Sequence, residues 1–225
     1  SSSFSPSEIP VANAFSEAYR DLARSFPFDT FNRMQVRMLP TLLHSDSSVV
    51  VSAPTGAGKT ALFSLAFVKM IRSIREQISN GGDGGRFRSG TRKAVFIAPL
   101  KAIVSERMTD WKRRYSALGL KVVELTGDSA GEYNGARDYM RDIDGADLLV
   151  ATPEKLESMS RRFNAESKGL LASICLLLID EIHMLNDPRG ATLEACVSRI
   201  KRLSDHPECQ GMPIAELRII AVSAT

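Results

Sequence analysis

Cysteine is scarce and scattered. Cys175, Cys196 and Cys209 are the three in 225 residues, and no two lie at the short spacing that a zinc site or a disulfide framework uses. An odd, unpaired set of this kind points to a reducing compartment. No apolar run approaches the length that spans a bilayer, and Ser1-Ser2-Ser3-Phe4-Ser5-Pro6 has neither the charged region nor the apolar core of a secretory leader. A soluble, intracellular protein with no membrane partner is therefore expected. Excess charge is also small, with 29 Lys and Arg against 26 Asp and Glu, a net of +3. Useful nucleic-acid binding takes about 6 to 10 phosphate contacts, so this surplus neither demands nor excludes such a partner. An initiator methionine is missing, and the chain stops abruptly after Val222-Ser223-Ala224-Thr225, which reads as a piece excised from a longer protein.

What is present is enough for one large core. A hydrophobic content of 44% over 225 residues fits a single α/β domain. The stretch that organises it is Val49-Val50-Val51-Ser52 followed by Ala53-Pro54-Thr55-Gly56-Ala57-Gly58-Lys59-Thr60. The valines read as a buried parallel strand, and the apolar spacing after Thr60 reads as a helix. A phosphate-binding loop between them needs glycine where a side chain would block the backbone, which Gly56 and Gly58 supply. Lys59 offers a cation to the β and γ phosphates and Thr60 a hydroxyl to magnesium, at a helix N-terminus that itself favours anions. Ala53 stands where the usual pattern has glycine.

Ahead of this loop, residues 16–24 read as a short helix that Pro27 ends, and a second helix runs through Leu43 with Asp29 or Thr30 as its N-cap. Gln35 sits on that helix. Its amide has the donor and acceptor needed to read adenine, although a helical glutamine is more often merely solvated. After the loop a long helix runs to about Ile78. Residues 79–90, with five glycines, are expected to form a flexible insertion that does not pack.

Further strands are predicted over 94–98, 121–125, 147–151, 174–179 and 218–222. The first runs into Pro99 and a helix carrying Lys101 and Arg107, at the strand end where open α/β sheets bind ligands. That helix also carries Lys112-Arg113-Arg114, a run that usually marks a wet face. The second closes on Thr126-Gly127, before a helix over 132–141. The third ends in Thr152-Pro153-Glu154-Lys155, where Thr152 caps a helix that Pro153 starts; free N–H groups and hydroxyls there suit a phosphate. The most apolar strand, 174–179, delivers Asp180-Glu181-Ile182-His183. Two adjacent acids at the mouth of a buried strand are costly unless a cation uses them. Beside a phosphate loop the use is magnesium, held by Asp180, and a water oriented or deprotonated by Glu181. His183 either links this site to Ser223-Ala224-Thr225 or is a buried, hydrogen-bonded histidine. Asp187-Pro188-Arg189-Gly190 turns into a helix over 191–203. Strands and helices alternate throughout, which means a mostly parallel sheet covered on both faces.

Taken together, Gln35, Ala53 to Thr60, Pro99 to Arg107, Thr126-Gly127, Thr152 to Lys155, Asp180 to His183 and Ser223 to Thr225 resemble the ordered motifs of a superfamily 2 DExH helicase. The match runs from about Phe28 to the end. Phe31-Asn32-Arg33-Met34-Gln35, Thr152-Pro153-Glu154-Lys155 and Asp187 to Glu194 are similar to the Ski-like branch. Leu193 to Lys201, with Asp110-Trp111, is similar to its meiotic crossover DNA helicases.

The resemblance implies a three-layer RecA-like P-loop domain over residues 28–225 behind an N-terminal extension, 1–27. It implies ATP and Mg2+ as cofactors, with Asn32, Gln35 and Ala53 to Thr60 around the nucleotide, Thr60 and Asp180 on the metal, and Lys59, Asp180 and Glu181 catalytic. Pro99, Lys101, Arg107, Thr126, Gly127, Thr152, Pro153, Lys155 and Arg189 would hold nucleic acid, tracked 3′ to 5′. His183, Ser223 and Thr225 would couple ATP state to unwinding. Such helicases have a second RecA-like domain that donates arginines to the γ-phosphate, so this first domain alone is expected to hydrolyse almost no ATP. DNA rather than RNA is the implied partner and the nucleus the implied location. An RNA helicase of the same branch and a non-catalytic RecA-like interaction module remain the other readings.

Overall fold

Phenylalanine governs the first segment of the fold. The computed structural model of the protein describes residues 8–81, 90–125, 136–161, 165–186 and 190–224. Phe15, Phe26, Phe28 and Phe31 form a chain of ring contacts with centroids 5.1 to 6.1 Å apart, the offset geometry that aromatic quadrupoles favour. They are closed by β1 (Ile9–Pro10), which pairs antiparallel with β2 (Thr30–Phe31). Between these strands the short helix expected over 16–24 is a 3-10 helix, Glu17–Ser25, broken at Tyr19 where φ is −123°. Val11, Phe15, Leu22 and Phe26 are buried in the same core as one face of the main sheet.

Asp29 and Thr30 do not cap the next helix. Thr30 is taken by β2, and α1 (Arg33–His44) is capped by Asn32, whose side chain accepts from Gln35 N–H. A reciprocal bond from Asn32 N–H to Gln35 Oε1 completes a capping box.

Six parallel strands follow in one sheet: β3 (Val49–Ser52), β4 (Lys93–Ile97), β5 (Val122–Leu125), β6 (Leu148–Ala151), β7 (Ile174–Ile179) and β8 (Arg218–Ser223). Their order across the sheet is β3-β8-β7-β4-β6-β5, with Val51 beside Val222, Ile220 beside Leu178, and Phe96 between Leu178 and Val150. One face, with Ala94 and Phe96, packs against α1, α2 (Thr60–Ser79) and α3 (Lys101–Ser116). The other, with Val95 and Ile97, packs against residues of α4 (Ala136–Asp144), α5 (Pro153–Arg161), α6 (Ala165–Ala172) and α7 (Gly190–Ser204). The fold is thus the expected three-layer RecA-like α/β arrangement.

Three local expectations change. The valine strand β3 is not buried throughout: Val51 is, but Val50 is 66% exposed, because β3 lies at the margin of the described sheet with β8 as its one neighbour. The basic run on α3 is only partly wet. Arg113 points outward, whereas Arg114 turns in to pair with Asp110 and to donate to the Ser25 carbonyl. Gly90, expected to stay unpacked, is buried with φ +81°, and a Cβ there would sit 2.5 Å from the Asp144 carbonyl. The remaining core of that insertion, residues 82–89, lies outside the described residues.

Gly90 belongs to a buried polar knot at the start of β4. Lys93 Nζ donates to the carbonyls of Gly90, Asp144 and Ala146 at 2.6, 2.6 and 2.9 Å, and the Asp147 carboxylate accepts from Gly90 N–H and Lys121 N–H. Burial lowers the Lys93 pKa from 10.5 to about 8. Between those values the unfolded chain holds a proton that the folded chain has released, so this residue makes stability rise with pH across that window. Lys93→Met strands three buried carbonyls, and urea unfolding at neutral pH is expected to show a loss of about 2–4 kcal/mol. The gap between wild type and variant should widen as pH climbs from 8 to 10.5.

Candidate nucleotide and nucleic-acid site

Because all six strands run the same way, their carboxyl ends share one edge, and the loops after β3, β4, β6, β7 and β8 emerge there. The loop after β3 is the phosphate loop. Gly56 and Gly58 both have φ of +81°, a conformation that a side chain disfavours. Lys59 Nζ donates to the carbonyls of Ala53 and Pro54 at 2.7 and 3.1 Å, which holds its charge inside the loop. Thr60 opens α2. Ala53 is buried, its φ is not positive, and its N–H donates to the Ser223 carbonyl, so alanine fits where glycine is usual.

The capping box on α1 reaches this loop. Asn32 Nδ2 donates to the Ala57 carbonyl and Gln35 Nε2 to the Gly58 carbonyl, both at 3.1 Å. Gln35 is only 3% exposed. Its amide is neither solvated nor open: Oε1 takes the Asn32 N–H and Nε2 braces the loop, so reading a base would require these bonds to be exchanged. The pattern Asn-x-x-Gln is itself a capping-box signature, which is the signal by which Asn32, already expected near the nucleotide, could also have been found as the cap.

Two strands away, Asp180 N–H donates to the Ile97 carbonyl at the end of β4. The Asp180 carboxyl is raised above its ordinary 3.8, first by burial and then by the charge of Glu181. The Glu181 N–H, Arg107 and Lys59 act in the opposite direction. Lys59 and Asp180 thus stand at the same edge, after strands separated only by β8. Arg107, whose side chain pairs with Glu106, also sends its field toward the acid. Glu181 has φ +53°, rare for a residue with a side chain. Its Oε2 is buried without a hydrogen bond, 3.2 Å from His183 Nδ1 but not aligned with it. His183 Nδ1 lies 3.4 Å from Ser223 Oγ.

These observations bear on magnesium. Among the described residues no three His, Cys, Asp or Glu cluster to make an all-protein metal cage. Magnesium bound with phosphates needs only one or two carboxylates, and a carboxyl held above its usual range by burial and then by a neighbouring acid fits a cation beside it. The orphaned Glu181 oxygen fits a positioned water.

On the same edge, Pro99, Pro153, Asp180, Glu181 and Met184 line one void of about 10 Å3, so the loops after β4, β6 and β7 meet. Lys101 is exposed, and Thr152 and Lys155 are partly so. Pro153 is buried and begins α5, so its part is to shape the loop. Thr126, Gly127, Arg189 and Thr225 lie outside the described residues.

A phosphate loop, an acid pair and a parallel sheet in this order define a RecA-like P-loop domain. The chain belongs to the DEAD/DEAH box helicase family, whose model matches residues 32–225. Membership implies the use of ATP. Among its relatives, "ATP-dependent DNA helicase homolog MER3" of Arabidopsis thaliana is 42% identical over 202 residues, covering 89% of this chain and 17% of that protein. "Probable ATP-dependent DNA helicase HFM1" of Xenopus tropicalis is 36% identical over 210 residues, 92% of this chain and 14% of that protein. Human "Activating signal cointegrator 1 complex subunit 3" is 39% identical over 201 residues, 89% and 8% respectively. The chain thus spans less than a fifth of each. These relatives agree with the branch read from the motifs. The crystal structure of the DUF1998 helicase MrfA bound to DNA and AMPPNP superposes with a TM-score of 0.66 at 17% identity, over 97% of this chain and 27% of that one; at that identity it speaks for the fold.

Gly58→Ala would bring a Cβ to 2.5 Å from Gln35 Nε2 in addition to straining a positive φ. It is expected to weaken nucleotide binding by at least about tenfold, measured by fluorescent-nucleotide titration. Adding Gln35→Ala removes the clash but not the strain, so the double variant should recover only part. Because charged Asp180 is costly in the fold, Asp180→Asn is expected to raise the unfolding free energy of the nucleotide-free chain, measured by urea titration, by about 0.5–2 kcal/mol. The same variant should lose the extra stabilisation conferred by nucleotide with magnesium.

Proposed function

We propose that this chain is the ATP-binding first motor domain of an ATP-dependent 3′-to-5′ DNA helicase that acts in meiotic recombination in the nucleus. The observation that carries the reading is the convergence of the β3 loop and the Asp180-Glu181 pair on one sheet edge, in a chain whose relatives include proteins named as DNA helicases. Lys59 and the backbone N–H groups of Gly56, Gly58, Lys59 and Thr60 hold the β and γ phosphates. Thr60 and Asp180 would hold magnesium, which would neutralise phosphate charge. Glu181 orients the attacking water through its unbonded oxygen and takes up its proton. A second RecA-like domain of the parent protein supplies the arginine that faces the γ-phosphate.

Lys101, Arg107, Thr152 and Lys155 hold the phosphates of a single strand on the adjoining loops, together with Thr126, Gly127 and Arg189. Such contacts position a strand without reading its bases. His183 stands between the acid pair and Ser223, the residue that also receives the phosphate loop's Ala53 N–H on its backbone, and so relays the state of the nucleotide to the end of β8.

In the parent protein, Glu181→Gln should leave ATP affinity within a few-fold while lowering turnover by about 10²–10⁴. Strand displacement on matched DNA and RNA duplexes should fall on the DNA substrate. Unaffected turnover in this variant, or displacement of RNA alone, would overturn the assignment.

A further inference from the structure

At the end of the sheet opposite the phosphate loop lies a cavity of about 540 Å3, between α2 and the starts of β7 and β8. Its size falls within the range of ligand sites, about 300–1,000 Å3, and none of the chemistry above uses it. Lys69, Arg92 and Arg218 line it against two carboxylates, Asp46 and Glu216, and Met70 contributes apolar surface. Arg218 is a fixed charge, spending its donors on the carbonyls of Thr41, Leu42 and Ser47. Lys69 pairs with Asp46 and donates to the Ser45 carbonyl; Arg92 pairs with Glu216.

The two pairs are lopsided. The Lys69 and Arg92 side chains are 9% and 13% exposed, whereas their carboxylate partners are 96% and 60% exposed. Buried cations are thus neutralised by acids that remain in water at the rim, and an exposed carboxylate held by one contact is readily exchanged for another. The lining also carries one positive charge more than negative. Apolar surface enters the lining itself through Ala66, Met70, Leu176 and Leu217.

We propose that this cavity docks an acidic peptide segment of a partner protein, a carboxylate entering beside Lys69 and Arg92 in place of Glu216 and an apolar neighbour packing against Met70. Charge surplus, buried cations with displaceable counter-ions and the apolar residues of the lining together favour a peptide that alternates acid with hydrophobe. The site is independent of the nucleotide reading.

A short fluorescein-labelled peptide alternating glutamate with leucine, titrated with the 225-residue chain and followed by fluorescence polarisation, tests this. Binding is expected, and none with the lysine–leucine counterpart. Arg92→Gln should weaken it about tenfold, the loss of one charge-assisted bond. Glu216→Gln should tighten it a few-fold by removing the internal competitor, while the urea midpoint and fluorescent-nucleotide binding of both variants stay near wild type. Equal binding by wild type and both variants, or saturation by citrate with no peptide binding, would overturn the proposal.

Discussion

The constraint on which the rest of the molecule depends is that all six strands of the main sheet point the same way. A parallel sheet places every strand-to-helix loop of one kind on one edge, so residues as distant in sequence as Lys59, Asp180 and Ser223 are brought together without long loops. Backbone bonds then fix the spacing: Ala53 N–H to the Ser223 carbonyl, and Asp180 N–H to the Ile97 carbonyl. Chemistry on that edge is a property of strand ends rather than of any single motif.

The same edge concentrates cost. Asp180 is half-buried beside another acid, Glu181 sits at positive φ, and one of its oxygens is buried without a bond. Away from this edge, three buried charges are well answered: Lys93 by three carbonyls, Arg218 by three more, Glu157 by Arg161 and Arg199. Strain that persists where a sheet, a helix and a cap all agree is strain the surroundings impose, and it falls at the residues that a nucleotide and its metal would relieve.

Much of this was legible in the sequence because it was written in strong local signals. Apolar runs bounded by turn residues gave the six strands within a residue or two, and Gly56-Ala57-Gly58-Lys59-Thr60 between a strand and a helix gave the loop. What escaped depended on distant neighbours. Three valines look buried, but Val50 faces outward because of where β3 falls in the sheet. Gly90 looked like part of a loose linker, yet Asp144 and Asp147, more than fifty residues away, close around it. Gln35 looked like a base reader or a solvated side chain; its burial comes from the backbone of a loop over twenty residues further on. The N-cap was missed because β2, only two residues long and paired with β1, claims Thr30. Pairing across the fold has no short-range signature.

The outward valine on β3 has a practical side. That strand meets β8 along one flank, and among the described strands nothing pairs with the other. A flank of this sort presents free peptide groups in register, which another molecule of the same chain can copy as readily as a native neighbour can. Association of this domain at high concentration is for that reason expected to run through β3, and a lysine at position 50 would be the conservative way to keep it monomeric.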